Sequence, residues 1–397
     1  MQQRRPWSMI SAMAAAQVVS WGTLYYAFSL MVTPMRRSLG WSPNLLNGAL
    51  SLGLLVMGAA SVPVGLWIDR GGGRRAMSLG SLLGALALAA WSLVRAPWAF
   101  YLVWVGIGLS LAGVLYESAF AVIALAFETK AQRWIILLTL AGGFASTVCL
   151  PLTQMLIASL GWRGALVVLA GANLAICLPL HACFVPGSSR LARSRARSPG
   201  PVYAGMVRQR AFWGLALWFT AHNFIASALV FQLVPLLTEW RVAMPTIIGC
   251  MMLFGPMQVA GRLAWMLLGA RMSVRSMGWV VAAALSATLV GMLVLPHAAL
   301  WLGAGVALFG LGNGILTIVR GIAVPELMGS ENYGAINGVL AFPVMAARAL
   351  APVAAASIWS RAGNPTWMVG ALLACAIVGG LGFVLAISGR SGRGAAG

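Results

Sequence analysis

Long apolar stretches that contain almost no charged residue recur along the whole chain of 397 residues. An α-helix needs about 20 such residues to cross a membrane. Only 8% of the residues are charged and 61% are hydrophobic, whereas roughly a quarter of the residues of a soluble protein are charged. So few charges cannot cover a water-facing surface. The sequence therefore predicts an all-α membrane protein, and the first apolar run, 10–35, is too long for a signal peptide and is expected to be the first span.

Twelve apolar runs can be separated at charged, proline or glycine residues, six on each side of the longest polar stretch. The predicted spans of the first half are 10–35, 46–67, 76–94, 98–125, 133–159 and 163–185. Those of the second half are 212–237, 245–268, 277–296, 299–322, 334–360 and 365–388. We therefore predict twelve transmembrane helices in two six-helix bundles, with an N-terminal bundle over 1–186, a basic cytoplasmic linker over 187–210 and a C-terminal bundle over 211–397.

The positions of the basic residues predict the orientation of the chain, which carries 26 Lys and Arg against 6 Asp and Glu. If the N-terminus is cytoplasmic, 17 basic residues fall in inner loops, tails and the linker, 6 in outer loops and 3 within spans. This asymmetry follows the positive-inside rule and predicts a multi-pass protein of a cell membrane, such as the bacterial cytoplasmic membrane, with both termini cytoplasmic. Because topology accounts for the net charge of +20, nucleic-acid binding is rejected. The linker could contact anionic lipid headgroups, and a solvated inner loop explains it as well.

Residues that usually carry catalysis are few and scattered. The five cysteines lie inside apolar runs without paired spacing, which is typical of small packing residues. The three histidines, His181, His222 and His297, lie far apart, and the sequence has no metal-ligand cluster, nucleophile elbow or phosphate-binding loop. We therefore expect no enzyme, no metal and no cofactor, and transport that runs on gradients or exchange.

The most specific motif is the loop between the second and third predicted spans, GLWIDRGGGRR at 65–75. Asp69 is the only acid in this basic loop, so it can face a helix N-terminus or pair with an arginine. The glycines permit a tight turn and a close approach of helices. We predict that the loop is a conformational latch, and the alternative is a basic loop that only sets topology. The predicted latch residues are Gly65, Asp69, Arg70, Gly72 and Arg74.

This loop resembles the signature of the major facilitator superfamily, Gly-x-x-x-Asp-Arg-x-Gly followed by basic residues. The second half carries an echo over 261–271, with Trp265 in place of the acid. Together with the arrangement of six spans, linker and six spans, the resemblance covers essentially the whole chain. It implies two bundles that rock around a central site and so give alternating access to the two sides of the membrane.

Ionisable residues inside spans are costly and usually mark a site or an ion pair. Arg348 lies near the middle of predicted span eleven and Arg262 within predicted span eight. If both face one cavity they favour an anion, because a guanidinium matches a carboxylate with two hydrogen bonds. The alternatives are a structural salt bridge for Arg348 and a remnant of the loop motif for Arg262.

Two arginines so placed resemble the oxalate–formate antiporter and monocarboxylate transporter branch of the superfamily. In that branch, basic residues on the eighth and eleventh helices hold the carboxylate of the substrate. The resemblance implies a substrate-binding role for Arg262 and Arg348. Gln258 stands where the monocarboxylate pattern has an aspartate and is included among the substrate-binding candidates.

Two further ionisable residues are candidate coupling groups. Glu117 is the only acid well inside a predicted span, and Arg320 lies at a comparable depth in predicted span ten. A carboxylate in an apolar span could carry a coupling proton, or it could be the fixed partner of an arginine. Arg320 could instead anchor the end of its helix.

Aromatic, amide and imidazole groups on predicted spans one and seven complete the candidate binding site. Trp21, Tyr25 and Tyr26 lie on span one, and His222 and Asn223 lie on span seven. The resemblance implies that these two helices line the transport path, where such groups could recognise the polar atoms of a substrate. Tryptophan and tyrosine are also common at membrane interfaces, and a lone buried histidine is often structural.

These features predict a secondary transporter that moves a small solute, namely a monocarboxylate or dicarboxylate, by alternating access. Its expected partners are the substrate, membrane lipid and a coupling proton or an exchanged anion, and we expect a monomer. Two alternatives stay open. One is efflux of an amphipathic or toxic compound, and the other is a membrane sensor on the same fold that binds a ligand without moving it.

Overall fold

The structure is a computed structural model that describes residues 6–127, 131–187, 202–268, 273–296, 298–329 and 333–388. Within these ranges the chain is helical and contains no β-strand. The predicted all-helical class is therefore confirmed. Most of the predicted linker, together with Lys130 and Arg271, lies outside the described residues.

Sixteen α-helices occur among the described residues. The first nine are α1 (Pro6–Ser20), α2 (Ala27–Leu39), α3 (Pro43–Trp67), α4 (Gly73–Leu93), α5 (Pro97–Val114), α6 (Tyr116–Phe127), α7 (Ala131–Gly143), α8 (Ala145–Ala172) and α9 (Leu178–Phe184). The others are α10 (Val202–Val207), α11 (Arg210–Glu239), α12 (Met244–Leu268), α13 (Val274–Val294), α14 (Ala299–Leu327), α15 (Tyr333–Ala362) and α16 (Pro365–Ser388). Three π-helical segments join α1 to α2, α3 to α4 and α8 to α9, namely Trp21–Tyr26, Ile68–Gly72 and Asn173–Cys177.

The ends of these helices follow from local chemistry. Proline is the first residue of α3, α5 and α16, where its missing N–H group costs nothing. The hydroxyl of Ser42 caps α3 by accepting a hydrogen bond from the backbone N–H of Leu45 at 3.2 Å. Helix α2 ends at Leu39 and is capped by Gly40, whose φ of 70° lies in the left-handed region that favours glycine.

Nine helical stretches among the described residues are long and apolar enough to cross a membrane. Two of them, Leu45–Leu93 and Ala131–Phe184, contain 49 and 54 residues, more than twice the roughly 20 that one crossing needs. Many large apolar side chains are exposed on the helices, among them Trp98 at 73% and Trp367 at 68%. An outer surface of this kind is expected to face lipid. The prediction of a multi-pass membrane protein is therefore confirmed.

The helices pack into two compact units. The first unit contains Met1–Gly200 and Ser330–Met345, and the second contains Pro201–Gly329 and Ala346–Gly397. Corresponding helices form corresponding pairs in the two units. In the first, α3 and α4 both pack on α5, and in the second, α12 and α13 both pack on α14. The sequence echo between the halves is thus repeated in the internal packing of each unit.

Helical irregularities in the first unit lie next to polar side chains. The π-helical segments Trp21–Tyr26 and Asn173–Cys177 are joined by a hydrogen bond from Nδ2 of Asn173 to Oγ1 of Thr23 at 2.6 Å. Between α5 and α6 the backbone is extended at Leu115, with φ −80° and ψ −168°. π-Helical turns and breaks of this kind expose backbone groups and frequently occur at functional sites.

The second unit surrounds its polar residues with apolar packing. One core in this unit contains Ile225 and Leu229 of α11, Leu289 of α13 and Leu372 of α16, each at most 3% exposed. In such a medium charges interact more strongly than they do in water, and an unpaired polar group is more costly.

Candidate functional site

Helices α12 and α14 present two polar pairs to each other. Gln258 and Arg262 are four residues apart on α12, and Asn313 and Thr317 are four residues apart on α14, a spacing that places each pair on one helix face. Nδ2 of Asn313 donates to Oε1 of Gln258 at 3.0 Å, and Nη2 of Arg262 donates to Oγ1 of Thr317 at 3.5 Å. Thr317 donates to the backbone oxygen of Asn313 at 3.0 Å. These four residues are termed the polar ladder.

The polar ladder forms because glycine lets the two helices approach closely. A Cβ atom at Gly314 would overlap the backbone oxygen of Gln258, and one at Gly261 would overlap the backbone oxygen of Leu311. Small residues at a helix crossing bring short side chains such as asparagine and threonine within hydrogen-bonding distance of the partner helix. The glycine run of predicted span ten therefore serves helix packing.

Arg348 lies on α15, where hydrogen bonds from α11 hold both its backbone and its side chain. Its Nε donates to Oδ1 of Asn223 at 2.8 Å. The backbone oxygen of Arg348 would normally accept from residue 352, but that residue is proline and has no N–H group. The hydroxyl of Ser227 supplies the missing hydrogen bond to this oxygen at 2.8 Å. Because of Pro352, a backbone oxygen of α15 is satisfied by a side chain of α11, and this happens at Arg348, the residue that carries the charge.

His222 lies beside these groups and is 2% exposed. The side chains of Asn313 and Arg348 are its polar neighbours. Neither ring nitrogen of His222 makes a hydrogen bond of normal geometry within the part of the chain that the structure describes. An imidazole has both donor and acceptor capacity, and here the side chain of Asn313 is placed to interact with the ring.

Arg262 is a buried cation without a counter-charge in the described residues. It is 5% exposed, and its Nε and Nη1 make no hydrogen bond there. The described carboxylates of the second unit lie elsewhere, because Glu239 ends α11 and Glu326 lies near the end of α14. Oε1 of Glu326 accepts from the backbone N–H of Val274 at 3.1 Å. An uncompensated buried charge is costly, and a guanidinium in this position could bind an anionic group.

The predicted aromatic residues of span one form a separate cluster in the first unit. Ring centroids of Trp21 and Tyr25 lie 5.3 Å apart, and those of Tyr25 and Tyr26 also lie 5.3 Å apart. Tyr116, the first residue of α6, joins them with its ring 5.2 Å from Trp21. These four residues are termed the aromatic cluster, which offers ring faces and polar ring edges inside a membrane span.

The break between α5 and α6 is stabilised by two side chains. The hydroxyl of Ser118 donates to the backbone oxygen of Ala112 at 2.6 Å, and Nε2 of Gln17 donates to the backbone oxygen of Val114 at 2.5 Å. Both oxygens belong to the last turn of α5, where helical partners are missing. Gln17 and Ser118 therefore maintain a discontinuous helix within an apolar span.

The two predicted coupling groups occupy different units. Glu117 is half-buried in the first turn of α6, where the helix dipole favours a negative charge. Arg320 is half-buried on α14, three residues beyond Thr317. A coupling role for either residue stays a prediction.

The predicted latch loop lies in the first unit and contacts the start of α15. The two carboxylate oxygens of Asp69 accept from the backbone N–H groups of Gly334 at 2.9 Å and Ala335 at 2.8 Å. N–H groups in a first helical turn lack helical partners and form the positive end of the helix dipole, so a carboxylate stabilises them. Gly65 packs directly against the backbone oxygen of Gly334. This contact requires a residue without a side chain.

The remaining latch residues have distinct positions. Gly71 has a left-handed φ of 90° and forms the turn. Gly72, the predicted latch residue, packs against the indole ring of Trp67 in the same loop. Nε of Arg74 donates to the backbone oxygen of Val185 at 2.7 Å. Arg70 is exposed. A latch function for these residues is consistent with this geometry and stays a prediction.

The predicted binding residues therefore fall into two groups. The structure brings together, in the second unit, Arg348, Arg262, Gln258, His222 and Asn223, and in the first unit, Trp21, Tyr25 and Tyr26. Sequence reasoning missed Asn313, Thr317 and Tyr116. The signal for Asn313 was an amide inside a glycine-rich span, since a polar side chain at a close helix crossing usually binds across it.

Apolar helices that carry ionisable groups in their interior are typical of multi-pass membrane proteins of the transporter class. Residues 13–352 match the profile of the Major Facilitator Superfamily. The chain therefore belongs to the Major Facilitator Superfamily, and the resemblance seen in the loop at 65–75 is confirmed. No curated protein sequence matches the chain significantly.

Solved structures share the fold over nearly the whole chain. The fucose:proton symporter FucP of E. coli has a TM-score of 0.73 at 13% identity, covering 95% of this chain and 97% of its own. The human organic anion transporter MFSD10 has a TM-score of 0.70 at 17% identity, covering 96% and 100%. A bacterial homologue of the iron transporter ferroportin has a TM-score of 0.74 at 13% identity, covering 96% and 99%. Identities this low show the fold alone, and that fold is one of transporters.

Proposed function

We propose that the protein is a secondary active transporter that moves a small organic anion, a monocarboxylate or dicarboxylate, across the cytoplasmic membrane by alternating access. Membership of the superfamily supports transport of a small solute. The choice of an anion rests on one observation, the 5% exposed guanidinium of Arg262 with no counter-charge among the described residues. A bound carboxylate would supply that counter-charge.

Arg348 supports the same choice. Asn223 holds its Nε, which leaves the two terminal amino groups as donors for a ligand. A guanidinium fixed in this way meets a carboxylate with little further loss of side-chain freedom. An uncharged or cationic substrate would leave both arginines uncompensated in an apolar unit, and this favours the anion over an amphipathic cation.

We also propose that the chain crosses the membrane twelve times, as two six-helix bundles over 1–186 and 211–397 joined by the linker 187–210. Of the nine apolar stretches, two are long enough for two crossings each, and α1 with α2 supplies another. The excess of arginine on one side supports cytoplasmic termini in a bacterial membrane. The proposed protein is a monomer that exchanges anions or couples their movement to protons, and its latch is the loop at 65–75.

The test is binding followed by flux. The purified protein is heated with formate, lactate, oxalate and succinate in turn, and any stabilising carboxylate is then used in counterflow with proteoliposomes. The wild type should be stabilised and should show flux. R262Q and R348Q should each lose at least about tenfold in affinity, as expected when a charge-assisted bond is removed. R36Q, which changes an exposed arginine, should behave as wild type. Stabilisation only by hydrophobic cations would favour efflux, and carboxylate binding without flux would favour a sensor.

A further inference from the structure

His222 is a buried titratable group close to Arg348. It immediately precedes Asn223 on α11, is 2% exposed, and has the side chains of Arg348 and Asn313 as polar neighbours. Neither ring nitrogen makes a hydrogen bond of normal geometry within the described residues, and the side chain of Asn313 is placed to interact with the ring. A buried structural histidine normally has at least one nitrogen satisfied, as His181 does by the contact of its Nδ1 with Oγ of Ser81 at 2.7 Å.

The charges around His222 are all positive in the described part of the second unit. Helix α15 contributes Arg348, and α12 contributes Arg262, which reaches Asn313 through Thr317. Helix α16, which packs along α11, carries no charged residue or histidine, and the thiol of Cys375 lies 4.0 Å from the backbone oxygen of Ala221.

Helix α14 contributes two more ionisable groups. Arg320 lies seven residues beyond Asn313, or about 10 Å along the helix axis, and Glu326 lies thirteen residues beyond it, or about 20 Å. Glu326 is bonded to the backbone of Val274. In the described residues, therefore, the ladder and His222 have no adjacent carboxylate that could compensate an imidazolium.

We propose that His222 binds the proton that accompanies the transported anion. The inference rests on the proposed function and names the coupling group for that same site. With the site empty, Arg348 repels a second positive charge on the imidazole. A carboxylate bound at Arg348 offsets this positive charge and so favours an N–H⁺ on His222. The proton is taken from water and leaves as a proton when the anion leaves, so no covalent bond to the substrate is formed.

Linkage makes this coupling reciprocal. If the anion promotes protonation of His222, protonation must strengthen anion binding by the same factor. For one linked proton, the apparent affinity changes by up to about tenfold per pH unit over the range in which His222 titrates. An inward proton gradient should then drive accumulation of the anion.

The test measures the binding of oxalate and of lactate, separately, by calorimetry at about pH 6 and about pH 8. Uptake of each anion into proteoliposomes is then measured under a proton gradient. The wild type should take up one proton for each anion that it binds, and its proteoliposomes should accumulate the anion. H222Q keeps a polar side chain without a titratable ring, so its affinity should be independent of pH and its gradient-driven uptake should be lost. H181Q is the matched control for removal of a buried histidine and should keep the pH dependence.

Each of the following results would overturn the assignment. H222Q could retain a pH-dependent affinity, or E117Q could lose that dependence in its place, which would move the proton to Glu117. The wild type could bind the anion without taking up a proton. If the wild type binds neither anion, the proposed function fails and the inference fails with it, whereas binding that is abolished by R348Q but insensitive to H222Q contradicts the inference alone.

A measurement on the wild type removes the dependence on a variant that folds. The chain has three histidines, so protein labelled with ¹⁵N-histidine gives three sets of imidazole signals, and H181Q identifies one of them. Addition of oxalate at about pH 7 should shift one internal imidazole from the neutral to the protonated form. No change in any imidazole signal at saturating oxalate would contradict the proposal.

Discussion

The helix pairs α3–α5 and α12–α14 are corresponding elements of the two units, and they differ in what their side chains do. Both crossings are made by glycine, with Gly108 against the backbone of Gly53 in the first unit and Gly314 against that of Gln258 in the second. Gly65 and Arg75 are ten residues apart, as are Gly261 and Arg271, and this equal spacing aligns the sequences of α3 and α12. In that alignment Val62 and Leu66 occupy the positions of Gln258 and Arg262, and Asp69 occupies the position of Trp265.

The charged residues of the two units, which are the two copies of the repeat, therefore lie at different positions along the corresponding helices. The first has an acid at the end of its helix, where it caps α15, and apolar residues in the span. The second has an arginine inside the span and a tryptophan at its end. The two units therefore share the packing of their backbones, whereas helix capping and ligand recognition depend on single side chains that only one unit carries.

The largest expected effect comes from blocking either crossing. A side chain at Gly314 or Gly108 would overlap backbone of the facing helix, and backbone cannot move aside as a flexible side chain can. G314V and G108V should each lower the free energy of unfolding by about 3 kcal/mol or more, with little monodisperse protein on size-exclusion chromatography in detergent. G255A, on the open side of α12, is the control and should change stability by less than about 0.5 kcal/mol. A well-folded G314V would show that the crossing tolerates a side chain.

The next effect separates the two helix ends. D69A removes both acceptors of the first-turn N–H groups of α15 and should lower stability by about 2 kcal/mol, measured by thermal unfolding followed through tryptophan fluorescence. D69N keeps one oxygen and should fall between D69A and the wild type. In the other copy, W265F changes a buried ring whose N–H has no partner in the described residues, so stability should barely change. Equal losses in D69A and W265F would remove the distinction between the copies.

The fold was largely accessible from the sequence, since apolar runs and the 65–75 loop predicted a helical membrane protein of this superfamily. The sequence predicted that Asp69 faces a helix N-terminus or pairs with an arginine, and the first alternative is the one observed. The sequence could not identify which helix, because residues 69 and 334 are brought together only by tertiary packing. The ladder was accessible in part. Arg262 and Gln258 stood out as polar groups in an apolar run, whereas Asn313 became significant only when the glycine crossing brought it to α12.

The third prediction makes the second copy resemble the first. R262L replaces the buried guanidinium by the residue type found at position 66 in the first unit. Replacing an uncompensated buried charge by an apolar side chain removes a desolvation cost, so the ligand-free protein should be more stable by about 1 kcal/mol or more. The same variant should lose its thermal response to oxalate. R36L is the control for loss of a positive charge at an exposed position and should show neither change. A less stable, ligand-free R262L would mean that Arg262 has a structural partner.

The smallest effect concerns the lower pair of the ladder. T317V keeps the shape of the side chain but removes the hydroxyl that lies 3.5 Å from Nη2 of Arg262. A hydrogen bond this long contributes at the low end of the usual range, so carboxylate affinity should fall about two- to threefold, with stability nearly unchanged. T288V is the control, because the hydroxyl of Thr288 also contacts a backbone oxygen of its own helix, that of Ala284 at 2.8 Å, and one of α14, that of Gly305 at 3.1 Å, but lies outside the ladder. Calorimetric titration of both variants distinguishes the two roles, since an equal loss of affinity in T288V would show that Thr317 acts only through the helix backbone and does not orient Arg262.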